Sequence, residues 1–162
     1  MKIKLTIFLF VAMFLSCNAQ EKQSLKDFTK DEAVINKSIK DWENANLNKD
    51  LELAIKHYSD QTNWTNAFGV KIHSKEELRE FLLVIFNMDY VLVGENNYEK
   101  NQITFINENT ATVWSKNIRT NQKWADNSNR DDSYINHLRV FQKNDGIWQI
   151  TDHLISQALS QN

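Results

Sequence analysis

Two strand-like runs near the carboxyl terminus, separated by a short turn sequence, limit the fold of this chain more than any other feature. The runs cover residues 134–143 and 147–154 and are rich in β-branched and aromatic residues. Between them lies Asn144-Asp145-Gly146, in which Gly146 can adopt the left-handed conformation that a three-residue hairpin loop with a bulge requires. The sequence therefore predicts a long antiparallel hairpin at the end of the domain.

The predicted loop sets the register of this hairpin. With Lys143 opposite Ile147, the apolar residues of both strands share one face, together with the polar residues Asn136 and Asp152. The face as a whole would carry Tyr134, Asn136, Leu138, Val140, Trp148, Ile150, Asp152 and Leu154. An apolar wall with a few polar groups is typical of a small-molecule cavity, so we expect this face to line one.

The same register places His137 and His153 opposite each other on the other face of the hairpin, beside Arg139, Phe141 and Thr151. Two imidazoles without a third ligand are a weak metal site, so no metal is predicted. We interpret this face as the outer surface of the sheet, through which two subunits would form a homodimer.

The first 19 residues are typical of an export signal, in which a basic start precedes an apolar run from Leu5 to Leu15. The run is too short to span a bilayer comfortably. Cleavage after Ala19 would release a periplasmic or secreted protein. Cleavage after residue 16 would instead make Cys17 a lipid anchor, the one expected link to a membrane, and both alternatives stay open.

Size, charge and cysteine content narrow the function classes. A chain beginning at Gln20 has 143 residues, the usual size of one domain, and Cys17 is the only cysteine, which excludes an intramolecular disulfide. Without Lys2 and Lys4, 17 basic residues stand against 21 acidic ones, a net charge of −4 that argues against a nucleic-acid partner. Gly-rich phosphate loops, nucleophile elbows and His-Glu-x-x-His motifs are absent from the sequence, so no cofactor is predicted.

The periodicity of the remaining chain predicts helices first and strands after them. A polar tether over 20–30 precedes a helix over 31–47 and a short helix capped by Asp50. A short hairpin around Gly69 and a helix opened by the capping box Ser74 to Glu77 follow. Strands are then expected over 90–94, 102–106 and 110–120, with a loop over 121–133 before the final hairpin. This order predicts a single α+β domain over residues 31–158.

That order resembles the SnoaL-like branch of the nuclear-transport-factor-2-like (NTF2-like) superfamily. The residues that share in the resemblance are Asp60, Trp64-Thr-Asn66, Gly69, Arg139 and Asp145-Gly-Ile-Trp148. The resemblance implies a cone-shaped fold with three N-terminal helices packed on a curved, mainly antiparallel sheet, and a pocket between the two. The superfamily includes ketosteroid isomerases, polyketide cyclases, dehydratases and non-catalytic binding modules. The fold therefore does not imply one function.

Three segments of this chain resemble the ketosteroid isomerases closely enough to compare acid/base residues. The positions of their tyrosine, their catalytic aspartate and their protonated aspartate fall on Trp42, Asn66 and Asn136. None of these side chains can perform the proton transfer that the isomerase requires. The two amides can still orient a ligand, and Trp42 offers a flat apolar wall.

The resulting hypothesis is an exported domain that binds a small, partly apolar molecule without ketosteroid-isomerase chemistry. Its expected ligand-binding residues are Trp42, Trp64, Asn66, Tyr134, Asn136 and Trp148, and Trp124 is expected near the pocket mouth. Two alternatives stay open. One is a lyase, cyclase or isomerase that uses Asp152 or another base in the pocket, because burial on the apolar face would raise the pKa of that carboxyl. The other is a structural dimerisation module whose cavity is filled by its own side chains.

Overall fold

The structure, a computed structural model, describes residues 27–158. The predicted signal peptide, Cys17 and the tether as far as residue 26 lie outside the described residues. The helices are α1 (Thr29–Asn48), α2 (Leu51–Ile55) and α3 (Lys75–Phe86). The strands are β1 (Tyr58–Thr65), β2 (Lys71–Ile72), β3 (Glu95–Tyr98), β4 (Gln102–Asn107), β5 (Thr110–Thr120), β6 (Ser133–Asn144) and β7 (Ile147–Ala158). No helix in this part of the chain is long and apolar enough to cross a membrane.

The strands form one seven-stranded sheet in the order β2-β1-β7-β6-β5-β3, with β4 also paired to β5. The pairing of β1 with β7 is parallel and every other pairing is antiparallel. Helices α1 and α3 pack on one face of the sheet, where Trp42 and Leu82 join Phe141 and Ile150 in the core. The predicted α+β architecture with a mainly antiparallel sheet is thus confirmed.

The helix boundaries follow from local capping. The Asp50 carboxylate accepts a hydrogen bond from the Leu53 amide at 3.0 Å and opens α2. The Ser74 hydroxyl accepts one from the Glu77 amide at 3.2 Å and opens α3, while the Glu77 carboxylate turns back to the amide of His73 at 3.0 Å. Both predicted caps are present. Helix α1 begins at Thr29, two residues earlier than its apolar pattern predicts.

The turn of the final hairpin differs from the predicted one. Asp145 and Gly146 have φ angles of 50° and 80°, and Asn144 pairs with Ile147, so the loop has two residues, both in the left-handed region, rather than three. Lys143 consequently lies opposite Trp148. The predicted register, with Lys143 opposite Ile147, is wrong.

A β-bulge then changes the phase of β7. Phe141 pairs with Ile150 and Val140 with Asp152, which leaves Thr151 as the extra residue on β7. The buried Thr62 hydroxyl lies 3.2 Å from the Ile150 carbonyl oxygen and 3.1 Å from that of Thr151, so it can donate to either and ties the bulge to β1. Before the bulge the even-numbered residues of β7 face the helices, and after it the odd-numbered ones do.

The turn and the bulge together reverse the predicted assignment of faces. The helix-facing side carries Trp148 and Ile150, as predicted, but its other members are Ile135, His137, Arg139, Phe141, His153 and Ile155. His137, Arg139 and His153 are therefore buried inside the fold and do not lie on its outer surface. Tyr134, Asn136 and Asp152 lie on the outer face instead, because each falls on the opposite side of the pleat.

Candidate functional site

A cavity of about 450 Å³ lies between the sheet and the helices. Its volume falls in the range of sites that hold small organic ligands. Most of the wall surface is apolar, and many of the lining residues carry amide, hydroxyl, imidazole or cationic groups. The residues that line it include Trp42, Asn46, Trp64, Asn66, Phe68, Phe81, Leu82, Ile85, Leu92, Asn96, Tyr98, Asn117, Arg119, Gln122, Lys123, Trp124, Arg130, Ser133, Ile135, His137, Ile155 and Gln157.

Three of the six predicted ligand-binding residues line this cavity. Trp42 comes from α1 and Trp64 from β1, and both indole rings are almost fully buried. Asn66 lies just after β1, where its side-chain oxygen accepts hydrogen bonds from the amides of Phe68 and Val70, both at 3.0 Å. The Asn66 side chain therefore closes a turn as well as reaching the cavity wall. Trp124 also lines the cavity, as predicted.

The other predicted residues lie elsewhere. Tyr134 and Asn136 belong to the outer face of β6. Trp148 faces inward but lies away from the cavity, where its indole N–H donates to Asp31 Oδ1 at 2.8 Å. Asp152, the predicted catalytic base, lies on the outer face of β7 and accepts a hydrogen bond from the Asn63 amide group at 3.0 Å. The argument for a base at Asp152 depended on the wrong register and no longer holds.

The inner face of the sheet instead carries a buried polar chain that the sequence reading placed outside. The Tyr58 hydroxyl oxygen lies 2.6 Å from Nδ1 of His153, and Nε2 of His153 lies 3.0 Å from Nδ1 of His137. Arg139 approaches the same His137 nitrogen at 3.5 Å. Of these residues His137 lines the cavity. These hydrogen bonds thus connect the cavity wall at His137 to Tyr58 at the start of β1.

The contact between Arg139 and Nδ1 of His137 determines how we place the protons along these hydrogen bonds. A guanidinium has only donors, so Nδ1 of His137 accepts, and its ring proton is on Nε2. His153 then donates from Nε2 to His137, which leaves its Nδ1 to accept from the Tyr58 hydroxyl. We assign His137 as a hydrogen-bond donor towards the cavity, since its only basic nitrogen is already occupied.

Burial keeps these groups uncharged, apart from the arginine. Removal from water lowers the pKa of His137 and of His153 well below the usual histidine range, and the positive charge of Arg139 lowers both further. Burial also raises the pKa of Tyr58, and that of Tyr98 in the cavity wall to about 12. Near neutral pH the two imidazoles and the two phenols are therefore neutral.

A second polar chain secures Arg139 from the other side. Its Nη1 donates to the Ser115 hydroxyl oxygen at 3.1 Å, and that hydroxyl donates to Asn101 Oδ1 at 2.8 Å. The Asn101 amide donates in turn to Asn36 Oδ1 on α1 at 3.0 Å. These bonds hold the buried cation in place and join the sheet to the first helix.

The sequence of β6 is compatible with either face of the strand pointing inward. In Ile135-Asn-His137-Leu-Arg139-Val-Phe141, the odd positions and the even positions both mix polar and apolar residues. Hydrophobicity alone cannot choose between two such faces, and the predicted loop length chose the wrong one. Among residues 27–158 no group of three or more histidine, cysteine or acidic side chains could hold a metal ion.

Comparisons with known proteins identify the fold. No protein-family model matches the chain, and neither does any curated protein. A ketosteroid isomerase-like protein from Erwinia carotovora atroseptica is 20% identical with a TM-score of 0.66, over 80% of this chain and 96% of that one. An NTF2-like protein of unknown function from Pseudomonas putida is 17% identical with a TM-score of 0.65, over 83% and 91%.

An enzyme is also among the similar structures. A hexachlorocyclohexane dehydrochlorinase is 11% identical to this chain with a TM-score of 0.69, over 80% of this chain and 86% of the enzyme. Identities this low show the fold alone. The chain has the NTF2-like fold that the sequence resemblance implied, a fold used by enzymes and by proteins of unknown function.

Proposed function

We propose that this domain binds a small, partly apolar molecule in the cavity between its helices and its sheet. The observation that carries the proposal is the cavity itself, which has a volume of about 450 Å³. Its wall consists largely of tryptophan, phenylalanine and aliphatic side chains, interrupted by polar and cationic groups. Sites with this composition hold small organic ligands by burying their apolar surface and orienting them through the polar groups.

The chemistry of the wall favours binding over acid/base catalysis. None of the described residues that line the cavity is an aspartate or a glutamate. Trp42 and Asn66 stand where the resemblance to the ketosteroid isomerases would place acid/base groups, and His137 offers an N–H rather than a free basic nitrogen. A general base needs an available lone pair within reach of the substrate proton.

The open volume also argues against the third hypothesis, in which side chains fill the cavity. Trp42 and Trp64 form parts of the wall, and Trp148 packs elsewhere against Phe105. None of these three tryptophans therefore fills the cavity: two border it and the third lies outside it.

An elimination enzyme is the second candidate, because a dehydrochlorinase shares the fold and an imidazole, His137, lies in the cavity wall. Such a reaction would require His137 to exchange its tautomer and accept a proton. If turnover of a substrate is found and His137→Gln abolishes it while leaving binding intact, the enzyme replaces the binding module as the better account.

Native mass spectrometry of the protein purified from its own host, compared with the same sample after denaturation, tests the binding proposal. We expect a small molecule that is released on denaturation. Ile135→Trp, which projects into the cavity, should abolish this mass difference, whereas Tyr134→Trp on the outer face should keep it. Retention of the ligand by Ile135→Trp would place the binding site elsewhere.

We also propose that the domain is exported and forms a homodimer through its outer sheet face. The N-terminal sequence supports export, and the intact mass of the mature protein tests it. A chain beginning at Gln20 indicates simple cleavage, a lipid-modified Cys17 indicates an anchor, and an intact Met1 contradicts export. The support for the dimer is an apolar row of Trp114, Leu138 and Leu154 on the outer sheet face, in which Trp114 and Leu154 are about half exposed.

A further inference from the structure

The charged groups in the cavity wall have one sign. Arg119, Lys123 and Arg130 line the cavity, and the described lining residues include no carboxylate. All three cations lie within residues 119–130, the end of β5 and the loop that follows it, so the positive charge belongs to one segment of the wall. The buried guanidinium of Arg139, which lies on the inner face of the sheet beside His137, adds to the positive potential there.

Arg119 is held in place without an acidic partner. Its Nη2 donates to the backbone carbonyl oxygens of Val91 at 2.9 Å and Val93 at 3.1 Å. Burial lowers the pKa of Arg119, and the neighbouring charge of Arg130 lowers it further. Two cations thus lie close together where each disfavours the charge of the other, and a bound anion would relieve both.

The loop cations also lack carboxylate partners. Lys123 Nζ contacts Asn129 Oδ1 at 2.5 Å, and the Arg130 guanidinium lies 4.8 Å from the centroid of the Trp124 ring. Within residues 27–158, none of the ion pairs involves any of the three lining cations. Glu43, the acidic residue whose charge reaches Arg139, is paired with Lys40 at 2.9 Å.

Three buried polar atoms of the lining residues have no hydrogen-bond partner within the described part of the chain. Two are donors, Nε1 of Trp64 and Nε of Arg119, and the third is an acceptor, Oδ1 of Asn117. Trp64 is 3% exposed and Asn117 is 4% exposed. A buried polar atom without a partner destabilises the fold, so such atoms commonly mark the place where a ligand supplies the missing bond.

From these contacts we infer that the molecule bound in the cavity is an amphipathic carboxylate, with an apolar body among Trp42, Phe81 and Ile85 and an anionic group at Arg119, Lys123 and Arg130. This inference rests on the proposed binding function and adds the chemical class of the ligand. Donors and cations complement a carboxylate, which has only acceptors when ionised, and the apolar wall excludes a ligand that is charged throughout.

Decanoate and 1-decanol are matched probes, since they share the apolar chain and differ in charge. Their binding is followed by quenching of the cavity tryptophans. We expect decanoate to bind at least about tenfold more tightly than decanol, since only the charged headgroup makes charge-assisted hydrogen bonds with the three cations. Raising the salt concentration should weaken decanoate binding and leave decanol binding unchanged.

The double variant Lys123→Gln/Arg130→Gln should weaken decanoate binding about tenfold or more and leave decanol binding unchanged. The control Lys30→Gln/Lys100→Gln removes the same charge from exposed positions outside the cavity and should change neither. Arg119→Lys provides a second variant, and its binding is measured after its melting temperature has been shown to equal that of the wild-type protein. Equal binding of the two probes, unaffected by the cavity variants, would overturn the carboxylate inference while leaving a binding cavity in place. If neither probe binds at millimolar concentration, the inference also fails, and native mass spectrometry decides separately on the binding function.

Discussion

Nε2 of His153 lies 3.0 Å from Nδ1 of His137, although the two residues are not cross-strand partners. His153 lies opposite Arg139, and His137 lies opposite Ile155. The two rings meet along a diagonal of the β6-β7 ladder, and both are almost fully buried. This diagonal hydrogen bond links the Tyr58 hydroxyl, through His153, to His137 in the cavity wall, so the three side chains form one buried hydrogen-bonded network.

Replacing Tyr58 by phenylalanine should therefore destabilise the protein. The change leaves Nδ1 of His153 buried without its donor, and a buried polar atom without a partner costs about 1–3 kcal/mol. Urea denaturation measures the difference. Tyr134→Phe removes a hydroxyl from the outer face and should change the unfolding free energy by less than about 0.5 kcal/mol. Equal losses in both variants would show that the buried chain contributes no special stability.

Stability should fall as the pH is lowered through the range of an ordinary histidine. The folded-state pKa values of His137 and His153 are well below 6.5, so below that pH the unfolded chain binds protons that the folded chain does not. Stability from these two groups is present above about pH 6.5 and is lost below it, with a limiting slope of about 2.7 kcal/mol per pH unit.

Urea denaturation between pH 7.5 and 5 tests this dependence. The paired carboxylate of Asp41, whose pKa is held at about 2 chiefly by Lys37, begins to contribute only below about pH 4 and does not interfere in that range. His153→Gln should reduce the slope by roughly half, since one of the two titrating groups is removed. An unchanged slope in this variant would mean that other groups determine the acid sensitivity.

Capping and element order could be predicted because they depend on residues close together in the chain. Asp50 and Ser74 cap their helices through amides three residues away, and the apolar stripe of Trp42 requires only helical periodicity. The order of helices and strands followed from such local patterns, but the strand predicted over 90–94 is wrong, because those residues form turns and β3 begins at Glu95. These features gave the fold and the NTF2-like resemblance.

The assignment of residues to the cavity could not be predicted in the same way, because it depends on a contact between distant residues. Thr62 and the bulge at Thr151 are 89 residues apart, and the bulge decides which side of β7 faces inward. Asn-Asp-Gly is compatible with a loop of two or three residues, and the choice moves every side chain of β6 to the other face. Trp42, Trp64 and Asn66 were unaffected, since they lie outside the hairpin.

The outer face of the sheet carries an apolar row that we propose as the dimer interface. Trp114, Leu138 and Leu154 lie side by side on β5, β6 and β7, and Trp114 and Leu154 are about half exposed. Exposed apolar groups that adjoin in this way mark interaction surfaces more often than isolated ones do.

We expect a dimer by light scattering at micromolar concentration and a monomer for Trp114→Lys. Ile106→Lys, at an exposed position outside the row, should stay dimeric, and a monomeric wild-type protein would refute the interface.

Thr62 should be required for the β-bulge that turns His153 inward. Its buried hydroxyl lies within hydrogen-bonding distance of the Ile150 and Thr151 carbonyl oxygens at the point where the β1-β7 register also shifts. Valine has the same shape but no hydroxyl, so Thr62→Val leaves this site without a donor at a cost of about 1–3 kcal/mol.

The expected result is a loss of unfolding free energy of that size, with faster amide hydrogen exchange around residues 150–152 because the bulge opens more often. Thr112→Val, on the outer face of β5, removes a partly exposed hydroxyl and should have little effect on either measurement. If Thr62→Val exchanges as slowly as the wild-type protein at these amides, then the hairpin determines the bulge by itself and β1 only packs against it.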